Sequence, residues 1–417
     1  MSSYLKTIFN GQDDNDQDTL KILSIEELTG SAPTVIIIII LSQSQSQSQS
    51  QSQSQSQSTL ISLSLSLSLS LSSLLINLQV LGESPHWDAV TNTLIYVDIN
   101  GKRILVYDPI TASTTSMQLS QLVGFAIPTT ETRRRNDGTM LHLIVGLEDR
   151  VVEINFTDQT IIRTIAEIPA DIKENSRFND GKASPRGLLY AGYMNLKWRE
   201  GFGGHFFKLN EEHSHFQTLL KPTELGLPNG LAWVSEKKMY IIDSLKNTIS
   251  MYETSDETPG DKEPQFGVTN TEEITTLGCC SEEHKNFEEL SVIYKLDAEY
   301  VKAGGMLDGM TIDSEGKLWV AIPGCSCILR IDPVTQKVIY KLLLPIKKPT
   351  AVAFGGPHLE SLYITTRNED ASNEPKGLLY RCKIDGIRGM SAGHQIKMSS
   401  KEYKCCFLPY LMNAIRF

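Results

Sequence analysis

Three stretches of this sequence can be laid over one another: GESPHWDAVTNTLIYVDINGKRILVYDP (82–109), PNGLAWVSEKKMYIIDSLKNTISMYE (228–253) and LDGMTIDSEGKLWVAIPGCSCILRIDP (307–333). Each opens near a polar, ligand-type residue, runs through an apolar alternating strand and a turn, and enters a second strand ending in Asp or a small residue. A further turn and a third strand close on YDP, YE or IDP. NDGKASPRGLLYAGYM (179–194) and PTAVAFGGPHLESLYITTR (349–367) are weaker copies, and LVGFAIPTTETRRRNDGTMLHLIVGLEDRVVEI (122–154) makes a sixth. Six such units over about 310 residues give a period of roughly 50, the spacing of a four-stranded propeller blade. The expected fold is therefore all-β, a six-bladed β-propeller.

The repeat also sets the domain limits. Residues 76–396 form the propeller, preceded by a low-complexity N-terminal extension (1–75) and followed by a tail (397–417). Within the extension, Ile36 to Ile40 is a homopolymer, Ser42 to Ser58 alternates Ser with Gln, and Leu60 to Ser73 alternates Leu with Ser almost strictly. Such tracts do not specify a strand register or a partner. A CT dinucleotide repeat translates as alternating Leu and Ser, so this stretch reads as translated microsatellite or a gene-model artefact. The acidic segment 254–290 lacks strand signal and reads as a surface insertion between outer strands of the fourth blade.

Charge and cysteine content exclude several function classes. A formal net charge of −10 argues against a nucleic-acid binder, which needs clustered Lys and Arg. The one basic run, Arg133-Arg134-Arg135, reads as a solvated loop. Seven cysteines, with two vicinal pairs and no C-x-x-C, fit neither a disulfide framework nor a zinc ribbon, so reduced thiols in the cytoplasm are expected. The first residues are polar and acidic, unlike a secretory signal. The apolar run Val35 to Leu41 is far shorter than the roughly 20 residues a membrane-spanning helix needs.

A propeller brings the start of every first strand to a common axis. The equivalent position in four units holds Glu83, Asn179, Asn229 and Asp308. Carboxylates and amides around one axis make a hard-oxygen set suited to Ca2+, Mg2+ or Mn2+. The competing reading is that Asn229-Gly230 and Asp308-Gly309 are ordinary turn residues. Glu83, before Ser84-Pro85, has no such explanation.

The pieces LGESPHWD, SRFNDGK, LPNGLAW, LDGMTID, GKLWVA and FGG, in this order from about residue 80 to 395, resemble the regucalcin (senescence marker protein), gluconolactonase and luciferin-regenerating enzyme family. The resemblance implies a six-bladed propeller with one divalent metal ion (Ca2+, Zn2+, Mn2+ or Mg2+) in its channel. It implies Glu83, Asn229 and Asp308 as metal ligands, Asp308 also as the proton donor and acceptor, and Arg177 and Asn179 as substrate contacts. The implied activity is gluconolactonase-like hydrolysis of a small-molecule lactone, by a monomer with no nucleic-acid or membrane partner. This sequence departs from the family at an acidic substrate contact: the counted position is Lys197, with Glu200 nearby. Two other readings stay open at this stage. One is a calcium-binding regulatory protein without turnover, the other an inactive propeller scaffold.

Overall fold

The computed structural model describes residues 22–28, 34–36, 78–135, 138–210, 215–254, 290–346, 348–368, 377–391 and 393–397. They form six antiparallel sheets arranged as the blades of a propeller. Blade one comprises Gly82–Asp88, Thr93–Asp98, Arg103–Asp108 and Ser113–Gln118. Blade two comprises Val123–Pro128, His142–Leu147, Arg150–Asn155 and Thr160–Glu167. Blade three runs Ser176–Ala183, Leu189–Asn195, His205–Asn210 and His215–Leu220. Blade four runs Pro228–Trp233, Lys238–Asp243, Thr248–Glu253 and Ser291–Lys295. Blade five is Met310–Ile312, Leu318–Ile322, Cys327–Asp332 and Lys337–Leu343. Blade six begins with Pro349–Gly355, Ser361–Thr366 and Leu379–Ile384. The first strands touch one another in a closed ring around the channel.

Side-chain burial explains why the sequence forms blades rather than a flat sheet. The second strand of blade one, Thr93–Asp98, is buried on both faces, whereas its outer strand Ser113–Gln118 alternates between exposed and partly covered. A sheet covered on both faces needs near-continuous apolar runs, and a half-solvated strand alternates. Here each inner sheet is covered by two neighbouring blades. Ile95 and Val97 join Val123, Leu143 and Val145 of blade two, while Leu94 and Tyr96 join Tyr363 and Leu379 of blade six. Blade five divides the same way. Leu318, Val320 and Ile322 pack with blade four, and Trp319 and Ala321 pack with blade six. The side chains of one strand thus serve two cores.

The last blade is completed from the other end of the chain. Ile22–Leu28 pairs antiparallel with Leu379–Ile384, Ile25 lying opposite Cys382, and Thr34–Ile36 adds a fifth strand. Parts of the extension before residue 76 therefore belong to the sixth sheet, a role its repetitive tracts gave no reason to expect. Hydrogen bonds between its two ends join the ring at this seam. Arg133–Arg135 is a strand paired with Gly138–Met140, a short ribbon instead of the expected loop. The 254–290 insertion joins the third and fourth strands of blade four, and its residues 255–289 lie outside the described residues, as does the tail from 398. Among the described residues, no helix is long and apolar enough to cross a membrane.

The rear of the channel is crossed by residues 387–391 and 393–397. Ser314 donates its N–H to Arg388 O, Gly389 bridges Asp313, Gln395 Nε2 donates to Asp88 Oδ1, and Thr130 donates its N–H to Ile396 O. Lys397 then reaches Gly187 O. This strap contacts blades five, one, two and three and leaves the opposite end, where the first strands begin, as the mouth. Ile25→Pro removes a ladder hydrogen bond from a strand paired on both sides and is expected to cost roughly 1–3 kcal/mol in urea unfolding. Unchanged stability would contradict closure of blade six by Ile22–Leu28.

Candidate active site at the channel mouth

Five first strands carry a pairing irregularity, in blade two at Gly124 between Val123 and Phe125 and in the other four close to the residues that converge on the axis. Pairing with the second strand shifts between Glu83 and His86, between Phe178 and Gly181, between Pro228 and Leu231, and between Pro349 and Ala351. A bulge of this kind bends a strand and re-aims its side chains. In blade one the chain passes through Ser84 at φ 48°, directly after Glu83. The loops leading into these strands are fixed from the second strand. Asp98 accepts the N–H groups of Val80, Leu81 and Gly101, and Asp243 accepts those of Gly226 and Leu227. The Asp that recurs at the end of the second strand in those units is therefore an anchor for the strand that carries the site.

Asn229-Gly230 lies inside the strand Pro228–Trp233 and forms no hairpin turn. The glycine is there because the inner strands crowd near the axis. A Cβ on Gly230 would come within 2.7 Å of Asp308 O, and one on Gly309 within 2.3 Å of the Ala351 Cβ.

These elements bring side chains distant in sequence into one buried cluster. Asn229 Nδ2 donates to Asp308 Oδ1 at 2.6 Å, and Asn229 Oδ1 accepts the Gly230 N–H. Arg177 Nη1 donates to Asn179 Oδ1 at 2.9 Å and to Phe178 O at 2.7 Å, and Asn179 Nδ2 donates to Pro228 O at 3.0 Å. Glu83, Arg177, Asn179 and Asn229 are each buried, and Asp308 keeps partial exposure. Glu83 Oε2 is buried with no hydrogen-bond partner.

Burial dominates the electrostatics. It raises Glu83 well above the ordinary carboxylate range, with Asp308 and Asp180 adding repulsion and Arg177 and Arg367 opposing it. Burial and then the Asp180 charge push Asp308 up to about 8, against the Asn229 hydrogen bond and the two arginines. Burial lowers Arg177 to about 10. Several acids crowded in a low-dielectric pocket cannot all ionise unless a cation joins them.

Lys197 and Glu200 do not join the buried cluster. Both are exposed on the loop after Leu189–Asn195, which leaves on the mouth side where Leu196 N–H meets Asn175 O. Residues missed by sequence reasoning are Ser84, Asp180, Lys182 and Arg367. Ser84 Oγ lies 2.9 Å from both Asp180 Oδ1 and Gly124 O. Arg367 follows the second strand of blade six, one residue past the place where blades one and four end in Asp, and that position in the repeat was the available signal.

The donor set can be tested against a metal. Among the described residues, no three His, Cys, Asp or Glu side chains gather to hold a metal by themselves. Glu83, Asn229 and Asp308 offer two carboxylates and a neutral amide, all oxygen donors, and Glu83 Oε2 lacks any partner of its own. That chemistry fits a hard divalent cation whose remaining positions are filled by water.

Comparison with known proteins identifies the family of the chain. Residues 81–368 match the family described as SMP-30/Gluconolactonase/LRE-like region. The chain is 30% identical to regucalcin of Xenopus laevis over 325 residues, covering 75% of this chain and 93% of that protein. It is also 30% identical, over 300 residues, to a Bacillus subtilis protein that bears the name sugar lactone lactonase YvrE, covering 71% and 87%. Among solved structures, a luciferin-regenerating enzyme superposes with a TM-score of 0.62 at 28% identity, covering 78% of this chain and 97% of that one. A calcium-binding regucalcin of Agrobacterium tumefaciens gives 0.60 at 18% identity, covering 77% and 95%, a likeness of fold.

The raised Asp308 carboxyl predicts the pH dependence of metal-free protein. Between 3.8 and about 8 the folded state holds a proton that the unfolded chain has released, so stability falls as pH rises through this window. Glu83 contributes with the same sign. Asp308→Asn should flatten the slope of urea-unfolding stability measured in chelator. An unaltered slope would mean that this carboxyl is not raised.

Proposed function

The chain belongs to the SMP-30/gluconolactonase/LRE-like family, and on that premise we propose that it is a lactone hydrolase opening a sugar lactone by attack of water on the ring carbonyl. One observation carries this reading. Buried Glu83 and Asn229 and partly exposed Asp308, from blades one, four and five, gather at the channel mouth beside the paired Arg177 and Asn179. The gluconolactonase in the family's description and the lactonase name of the Bacillus relative support the reaction class.

Glu83, Asn229 and Asp308 would hold one divalent metal ion (Ca2+, Zn2+, Mn2+ or Mg2+) through oxygen donors. When bound, the cation supplies Lewis-acid stabilisation of the charge that develops on the carbonyl oxygen, worth several kcal/mol. The remaining work falls to the chain. Asp308 takes a proton from the attacking water and returns one to the departing ring oxygen as the C–O bond breaks. The Asn229 Nδ2 bond at Oδ1 holds Asp308 in a fixed rotation, so its other oxygen is presented to the proton in transit. Arg177, held by Asn179 and Phe178 O, presents a rigid donor to the lactone oxygens and turns the carbonyl toward Glu83 and Asp308. With Asn229 contributing no charge, two carboxylates balance a dication and a neutral lactone enters without repulsion.

Hydrolysis of D-glucono-δ-lactone by the full chain tests this. The full chain is needed because residues 22–28 complete blade six. Turnover should vanish in EDTA and return with added divalent cation, and Asp308→Asn should lower kcat by roughly 10²–10⁴-fold. Asn229→Ala should weaken cation affinity more than it lowers Tm. Cation binding with no turnover on a lactone panel would replace the enzyme with a calcium-binding regulatory protein, and full activity in EDTA would remove the metal.

A further inference from the structure

Lys182 lies on the inner strand of blade three, below the mouth, and the reaction described above makes no use of it. Its Nζ donates to Leu231 O at 2.7 Å and to Met310 O at 3.3 Å. Those carbonyls belong to the inner strands of blades four and five, so one ammonium ties three blades together at the axis. Inner strands have an edge with no neighbouring strand, and buried carbonyls there need a donor from elsewhere. The side chain lines two small cavities in the channel, one with Ser84, His86 and Asp180, the other with His86, Trp233 and His394. Burial lowers the ammonium to about 8, opposed by the Asp180 charge.

The register of the two acceptors indicates what these hydrogen bonds do. Leu231 lies two residues after Asn229, and Met310 two residues after Asp308. The 2.6 Å bond between Asn229 Nδ2 and Asp308 Oδ1 joins the first of these strands to the residues that lead directly into the second. Fixing the Leu231 and Met310 carbonyls on one nitrogen fixes the separation of the strands within a single pleat of the site. Gly230, with no room for a Cβ against Asp308 O and Met310, shows how closely they approach. We infer that Lys182 is a positioning residue: an internal cation that sets the spacing of blades four and five, and through it the geometry of Asn229 and Asp308 as a pair. This rests on the functional reading above only for what the pair binds. The clamp itself is independent of it.

Lys182→Met keeps the length and apolar stem of the side chain and removes its donors. A crystal structure of the variant should show the Asn229 Nδ2 to Asp308 Oδ1 contact lengthened beyond hydrogen-bonding distance. Retention of that contact at its present length overturns the inference, whether or not the wild-type protein takes up a divalent cation. In parallel, Ca2+ affinity measured by titration calorimetry should weaken roughly 10- to 100-fold, the range for loss of a group that orients metal ligands. Leu362→Ala, in the core between blades five and six, serves as the stability control. It should lower Tm while leaving Ca2+ affinity unchanged. Equal loss of affinity in both variants would make Lys182 a general contributor to stability and overturn the positioning role.

Discussion

Every inner strand of a propeller has one edge facing the axis with no strand beside it. The backbone groups on that edge must still be satisfied, and in this protein side chains from other blades supply the bonds. Thr350 Oγ1 donates to Gly82 O, Ser84 Oγ reaches Gly124 O, Asn179 Nδ2 donates to Pro228 O, and Lys182 Nζ bridges Leu231 O and Met310 O. These bonds join blade six to one, one to two, three to four, and three to five. The polar residues at the hub are thus structural before they are chemical. Near the bulges, the same hub brings Asn229 and Asp308 into contact at the mouth.

Outside the hub, stability rests on apolar layers between blades and on the seam in blade six. Each layer draws on two sheets, as where Phe125 and Ile144 of blade two meet Phe178, Tyr193 and Phe207 of blade three. Trp87 stacks on Tyr363 across the junction of blades one and six, with ring centroids 5.8 Å apart. A ring built this way distributes its core around the circumference and leaves the axis free for polar groups. Desolvation of those groups is the cost, visible in the raised Glu83 and Asp308 and the lowered Arg177 and Lys182.

Much of this was legible in the repeat, because the repeat and the fold have the same origin. Strand and turn patterning located the blades, and one register position picked out Glu83, Asn179, Asn229 and Asp308. The Asn-Gly dipeptide was ambiguous because a glycine chosen for close approach looks identical to one chosen for a turn. Ser84 and Lys182 could not be read, since their roles depend on partners 96 and 128 residues away, across blades. The strand Ile22–Leu28 was hidden for another reason. Its partner lies at the far end of the propeller, and the repetitive tracts between them masked any continuity. The loop expected at Arg133 to Arg135 failed because a run of like charges does not distinguish a loop from a paired ribbon.

The account depends on three oxygens from three blades sharing one cation. Crystals grown in manganese and measured for anomalous scattering address this directly. The account predicts a single strong peak at the channel mouth with oxygens of Glu83, Asn229 and Asp308 all within about 2.6 Å. A peak elsewhere, or these three side chains ordered around no cation at all, would contradict it.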